Sequence, residues 1–229
     1  MSKYSAILLA GGIGSRSGKE IPKQNTRRGK PMIAYGLELL ASAEEIAEII
    51  VTYPEGYESR TKQIADTYLS GRNCEKIVKI VKGGRSVKAR VGLPRIEGLH
   101  NDHVIIHEAA RPLVKKDLLD DLLDCKYDSA TLVYSVPFTV LTQKDGFISE
   151  SLNRDELVNI QLPQKFPRIP LFNYHESARK EMKDFTDDSS LFFYYGGKVA
   201  VVQGSVENVK ITDWKDFLVA EAVLGDRYE

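Results

Sequence analysis

The chain has 229 residues, with 32 Lys+Arg against 32 Asp+Glu and a formal net charge of zero at neutral pH. That length suits one domain with an ample core, and the charge balance argues against a broad basic face for nucleic acid. The two cysteines, Cys74 and Cys125, show no metal spacing and no paired redox motif, and no apolar run approaches the length of a membrane span. With no signal-peptide pattern at its start, the chain reads as a soluble, cytoplasmic protein with reduced thiols and no membrane partner.

In chain order, short apolar runs alternate with helical patterns. Strands are expected over 5–9, 48–53, 76–81, 103–107 and 129–136, and helices over 31–46, 56–69, 86–96 and 115–125. Such alternation predicts an α/β domain whose mostly parallel sheet carries helices on both faces. One segment, 139–159, interrupts it. That stretch is short on large apolar residues and holds Asp145-Gly146, the signal for a tight hairpin turn. It reads as an arm projecting from the core, either solvated or packed on a second subunit. No internal repeat or low-complexity linker divides the chain, so 1–229 is expected to be one domain.

The first strand runs into Ala10-Gly11-Gly12-Ile13-Gly14-Ser15-Arg16, with Pro22-Lys23-Gln24 close behind. Glycines let backbone N–H groups approach phosphate oxygens, and Arg16 and Lys23 supply positive charge nearby. Two common nucleotide motifs fail here. A P-loop needs a glycine five residues before Gly18-Lys19, where Ile13 stands, and Ser or Thr after the lysine, where Glu20 stands. A dinucleotide turn needs a third glycine, where Ser17 stands, and an acidic residue ending the second strand, which closes on Tyr53-Pro54. What remains is either a generic tight turn or, with Arg16 and Lys23 beside it, a phosphate cradle of another kind.

This turn resembles the L-A-[AG]-G-x-G-x-R … P-K-Q signature of the cytidylyltransferases that make CDP-polyols, whose acceptors include 2-C-methyl-D-erythritol 4-phosphate and ribitol 5-phosphate. Four later segments match the family's motifs in order: His107-Glu-Ala-Ala-Arg-Pro112, Gln161-Leu-Pro-Gln-Lys-Phe166, Thr186-Asp-Asp188, and Gly204-Ser-Val-Glu-Asn-Val-Lys-Ile-Thr212. The resemblance covers nearly the whole chain. It implies a Rossmann-like nucleotidyltransferase fold with a projecting β-hairpin arm. The implied reaction joins CTP to a small polyol phosphate and releases pyrophosphate.

The resemblance also implies roles. Arg16, Lys23 and Lys210 would be the catalytic cations on the triphosphate. Gly11, Gly12 and Gly14 would give backbone contacts, while Ala10 and Gly83 would flank the cytosine and ribose. Glu108 stands where the family usually has Asp and would help hold Mg²⁺, or another divalent cation, through the nucleotide phosphates; its alternative is a simple pair with Arg111. His107 reads as structural. In the run 83–91, Val87 and Arg90 replace the family's arginine and serine; either Arg85 or Arg90 compensates, with Arg90 a candidate nucleotide contact, or nucleotide affinity or base preference has drifted. Thr139 and Arg154 would grip the acceptor phosphate across a homodimer axis. The Asp expected before Thr139 is Phe138. Ala110 leans toward methylerythritol phosphate over ribitol phosphate. A sugar-1-phosphate nucleotidyltransferase using another NTP, and a non-catalytic nucleotide-binding relic, stay open as alternatives.

Overall fold

The computed structural model describes residues 4–12, 30–70, 76–83 and 96–226. The expected helix over 86–96 falls almost wholly outside them, as do Gly14, Arg16, Lys23, Arg90 and Cys74.

The strands are β1 (Tyr4–Leu9), β2 (Ile46–Tyr53), β3 (Ile77–Lys82), β4 (His103–Glu108), β5 (Ala130–Ser135), β6 (Leu141–Lys144), β7 (Phe147–Ser151), β8 (Val158–Pro167) and β9 (Ala200–Gln203). The helices are α1 (Met32–Ser42), α2 (Glu58–Leu69), α3 (Lys116–Asp124), α4 (Arg168–Lys180), α5 (Asp188–Tyr194) and α6 (Trp214–Asp226). Seven strands form one sheet in the order β3-β2-β1-β4-β8-β5-β9, and β6 pairs with β7 alone. Every pairing in the large sheet is parallel except those of β8, which runs antiparallel to both β4 and β5. The expected α/β class is thus observed, with one reversed strand, β8, which carries the Gln161–Phe166 motif.

Side-chain alternation explains the layering. Along β1, Ala6 and Leu8 pack with Ile33, Leu37 and Leu40 of α1, Ile64 of α2 and Leu119 and Leu122 of α3. Ile7 points the other way, into a cluster with Leu171 of α4 and Leu191 and Phe192 of α5. A parallel strand buried on both faces needs an unbroken apolar run, which β1 and β4 supply. A third cluster seats α6 through Ala220 and Leu224 against Met32 and Leu113.

The 139–159 segment folds as a hairpin around Asp145 (φ 53°) and Gly146 (φ 86°). Both turn residues take the positive φ of the turn type that matches strand twist, as Asp-Gly predicts. Its last two residues differ from the expectation. Val158 and Asn159 already belong to β8, paired with Ser135 and Tyr134 of β5. The arm also carries more apolar surface than its composition suggested, because Phe147 and Ile148 are 77% and 73% exposed.

Candidate active site

Parallel sheets place ligands beyond the carboxyl ends of their strands, where the chain leaves a central strand in opposite directions. Here that point lies at β1, flanked by β2 and β4. The candidate residues gather there. β1 runs into Ala10–Gly12, β2 ends on Thr52 and Tyr53, β3 is followed by Gly83, and β4 ends on His107 and Glu108.

Glu108 sits at the centre. Its Oε1 accepts a hydrogen bond from Arg111 Nε at 2.8 Å, and its Oε2 meets Lys210 Nζ at 2.5 Å. Burial pushes its carboxyl up, but the Lys210 ammonium and Arg111 guanidinium more than offset this and hold it below the usual carboxylate value. Glu108 is therefore ionised at neutral pH. The sequence left Glu108 between metal-related work and pairing with Arg111. The structure adds Lys210 as a second partner, one hundred and two residues away.

The loop that brings Lys210 to this point is fixed from beneath. Arg111 also donates from a terminal guanidinium nitrogen to the Asn208 carbonyl at 2.7 Å, and Ile211 N donates to the Ala110 carbonyl at 2.8 Å. Asn208, 1% exposed, donates to the Leu162 carbonyl at 2.9 Å. Gln161 donates to the Ser205 carbonyl at 2.8 Å. Motifs from residues 107–112, 161–164 and 204–212 thus form one hydrogen-bonded group. Gln164 ties in a fourth, donating to Asp187 Oδ2 at 3.3 Å. The bridging roles of Arg111, Gln161 and Asn208 were missed at the sequence level. Their residues lay inside the quoted motifs, but spacing along the chain cannot show which motifs touch.

His107 is fully buried, and neither ring nitrogen has a hydrogen-bond partner among the described residues. The Arg111 backbone lies near without closing a bond. Desolvation lowers its pKa to about 4, against a smaller opposing pull from Glu108. It is a neutral core residue packed near Gly36 of α1.

At the ends of β1 and β3, Gly11 and Gly83 lie backbone to backbone. A Cβ on Gly83 would stand 2.7 Å from Gly11 Cα, and one on Gly11 would stand 2.9 Å from Gly83 Cα. Only glycine at both positions lets the two loops approach this closely. Gly11 N is already donated to the Thr52 hydroxyl at 3.0 Å, so this amide is turned into the sheet rather than toward a phosphate. Gly12 is exposed, with open space where a side chain would sit.

Thr139 and Arg154 are both exposed, at the base of the arm and in a short turn after β7. Among the described residues neither forms a hydrogen bond or ion pair with Glu108, Arg111 or Lys210. For a metal, no three His, Cys, Asp or Glu side chains gather among the described residues in a way that would hold an ion. Glu108 is a lone carboxylate whose two oxygens already face cations. That donor set does not make a protein cage for Mg²⁺. It suits the mode in which one carboxylate joins substrate phosphates and water.

The sequence model of the IspD family, 2-C-methyl-D-erythritol 4-phosphate cytidylyltransferase, matches residues 4–226. The chain belongs to this family. A 2-C-methyl-D-erythritol 4-phosphate cytidylyltransferase from Clostridium tetani is 35% identical over 225 residues, covering 96% of this chain and 90% of the relative. One from Desulforamulus reducens is 32% identical and covers 99% of this chain and 98% of its own. Among solved structures, the 4-diphosphocytidyl-2C-methyl-D-erythritol synthase of Anaerococcus prevotii superposes with a TM-score of 0.84 at 25% identity, covering 98% of this chain and 99% of that one. The Thermus thermophilus enzyme shares the fold, with a TM-score of 0.74 at 24% identity, over 96% of this chain and 98% of its own.

Proposed function

We propose that this protein transfers CMP from CTP to 2-C-methyl-D-erythritol 4-phosphate, forming a CDP-polyol and releasing pyrophosphate. The observation that carries this reading is the meeting of Lys210 with Glu108 and Arg111 at the carboxyl edge of the sheet, beside the glycine-rich turn. A phosphate oxygen of the acceptor attacks the α-phosphorus, a new P–O bond forms, and the bond to the bridging oxygen of pyrophosphate breaks. The acceptor phosphate is already ionised, so no general base is needed. Catalysis then rests on positioning and fixed positive charge.

Lys210 supplies one such charge, and Arg16 and Lys23 supply the others from the turn. Lys210 exchanges its contact with Glu108 for a nucleotide phosphate, while Arg111 stays and keeps the buried carboxylate neutralised. Glu108 would then help to hold a divalent cation, whose charge would offset that of the phosphates. Ala10 and Gly83 flank the base. Gly12 and Gly14 offer backbone donors, and Arg90 replaces the family's serine near the nucleotide.

The arm completes the site in a second copy of the chain. Phe138, Phe147 and Ile148 are 76%, 77% and 73% exposed, an apolar surface that a partner's arm would cover. In such a homodimer Thr139 and Arg154 serve the partner's acceptor phosphate. Among the described residues no helix is long and apolar enough to cross a membrane, in keeping with small, water-borne substrates in the cytoplasm.

A pyrophosphate-release assay tests the reading. CTP, UTP and ATP are each offered with 2-C-methyl-D-erythritol 4-phosphate, ribitol 5-phosphate and a sugar 1-phosphate. Release with CTP and methylerythritol phosphate well above all other pairs is expected. Release only with sugar 1-phosphates, or with none, overturns it.

A further inference from the structure

The ladder between β1 and β2 runs to Leu8 opposite Val51 and stops there. The next residue of β2, Thr52, is 1% exposed. Its hydroxyl oxygen accepts from Ala10 N at 2.8 Å and from Gly11 N at 3.0 Å. A side chain thus takes over as acceptor where the backbone ladder ends, and it bends the chain into the glycine-rich turn. Tyr53, one residue on, accepts from Gly83 N through its carbonyl at 2.6 Å. The end of β2 therefore holds both walls of the base site. Its Thr52 side chain fixes residues 10 and 11, and its Tyr53 backbone fixes residue 83. The backbone contact between Gly11 and Gly83 sets their spacing.

We infer that Thr52 is a positioning residue for nucleotide binding. Its hydroxyl sets the direction of the turn, so that the amides offered to the nucleotide begin at Gly12 rather than at Ala10 or Gly11. This rests on the reading of the turn as the CTP site. The chemistry is specific to a hydroxyl. Valine has nearly the same shape but no acceptor, and it would take away the oxygen that the Ala10 and Gly11 N–H groups share. Those donors would then turn elsewhere, and the loop with them. Serine keeps the acceptor and gives up only a methyl group.

The test compares wild type, Thr52→Val and Thr52→Ser by calorimetric CTP binding and by steady-state kinetics. Thr52→Val is expected to weaken CTP binding about tenfold, equivalent to about 1.4 kcal/mol. Its KM for the polyol phosphate should stay near wild type, and Thr52→Ser should restore most of the CTP affinity. Wild-type affinity in Thr52→Val, or equal weakening in both variants, overturns the inference. Amide hydrogen exchange on the wild-type protein gives a reading that needs no variant to fold. Ala10 and Gly11 amides should be protected before CTP is added and unchanged after. A Gly11 amide that exchanges freely until CTP arrives overturns the inference too. If wild type binds no CTP, the CTP-site reading falls and the role of Thr52 falls with it, an outcome distinct from wild-type binding that Thr52→Val leaves untouched.

Discussion

Glu108 faces two cations that have different futures. Arg111 is 11% exposed at its side chain and also braces the Asn208 carbonyl, so it has no freedom to leave. Lys210, 33% exposed at its side chain, is ion-paired among the described residues with that carboxylate alone, and on the proposed reading it moves to a phosphate. The two substitutions should therefore part company. Lys210→Met leaves Glu108 paired with Arg111, so thermal unfolding should stay close to wild type while kcat falls by about a hundredfold or more. Arg111→Met breaks a buried pair and a loop brace at once, which typically costs about 3–5 kcal/mol and should appear first as a lowered Tm. At the foot of the same strand end, His107 gives a pH signature. Its pKa is near 4 in the folded chain against 6.5 in a free side chain. Between those values the unfolded chain binds the proton and the folded chain does not. Stability is therefore full above the unfolded value and declines as pH falls from about 6.5 toward 4, with a slope of up to about 1.4 kcal/mol per pH unit. His107→Leu should flatten that segment of a stability-versus-pH curve measured by denaturant unfolding.

The elements show which local signals carry and which do not. Apolar runs marked β1, β2, β4 and β5 to within about two residues, and Asp145-Gly146 marked the hairpin, because these depend on neighbours in the chain. β8 escaped because its strand pattern is masked by polar residues. Gln161, Gln164 and Lys165 are 2%, 0% and 2% exposed. Each donates to a partner far away in sequence: Gln161 to the Ser205 carbonyl, Gln164 to Asp187, and Lys165 Nζ to the Leu123 and Cys125 carbonyls at the end of α3, at 3.3 and 2.7 Å. Burial of that kind is invisible until the fold brings the carbonyls in. The same holds for Glu108 with Lys210 and for Thr52 with residues 10 and 11. The sequence named Glu108 and Lys210 through their motifs, but not that they touch. Two element-level substitutions probe the packing. In α1, Gly36 lies so close to β1 that an added Cβ would stand 2.7 Å from Leu8 Cδ1. Gly36→Ala should destabilise by about 1–3 kcal/mol in spite of alanine's better helix propensity, because overpacking outweighs it. Asp187 caps α5 by accepting from Ser190 N at 2.7 Å and also accepts from Gln164. Asp187→Ala should cost about 1 kcal/mol, a drop of about 2–4 °C in Tm.

On the scale of the whole molecule, the groups the proposed reaction needs lie in different places in one chain. Glu108, Arg111 and Lys210 meet at the carboxyl edge of the large sheet, while Thr139 and Arg154 lie on or beside an arm whose two strands pair with each other. In the proposed homodimer a second copy would bring these parts together. The protein should therefore run in solution with a mass near twice its 25.7 kDa chain. Replacing Phe147 and Ile148 together by Lys should yield a folded monomer with little turnover, read by light scattering and pyrophosphate release. If the monomer turns over at the wild-type rate, each chain carries a complete acceptor site. In the proposed reaction the new bond is made at the α-phosphorus. Methylerythritol phosphate labelled with ¹⁸O throughout its phosphate group, incubated with CTP, gives products that mass spectrometry can sort. Attack on the α-phosphorus predicts that all the label is retained in the CDP-polyol and none enters pyrophosphate. Label in the released pyrophosphate, or pyrophosphate formed without a CDP-polyol, contradicts it.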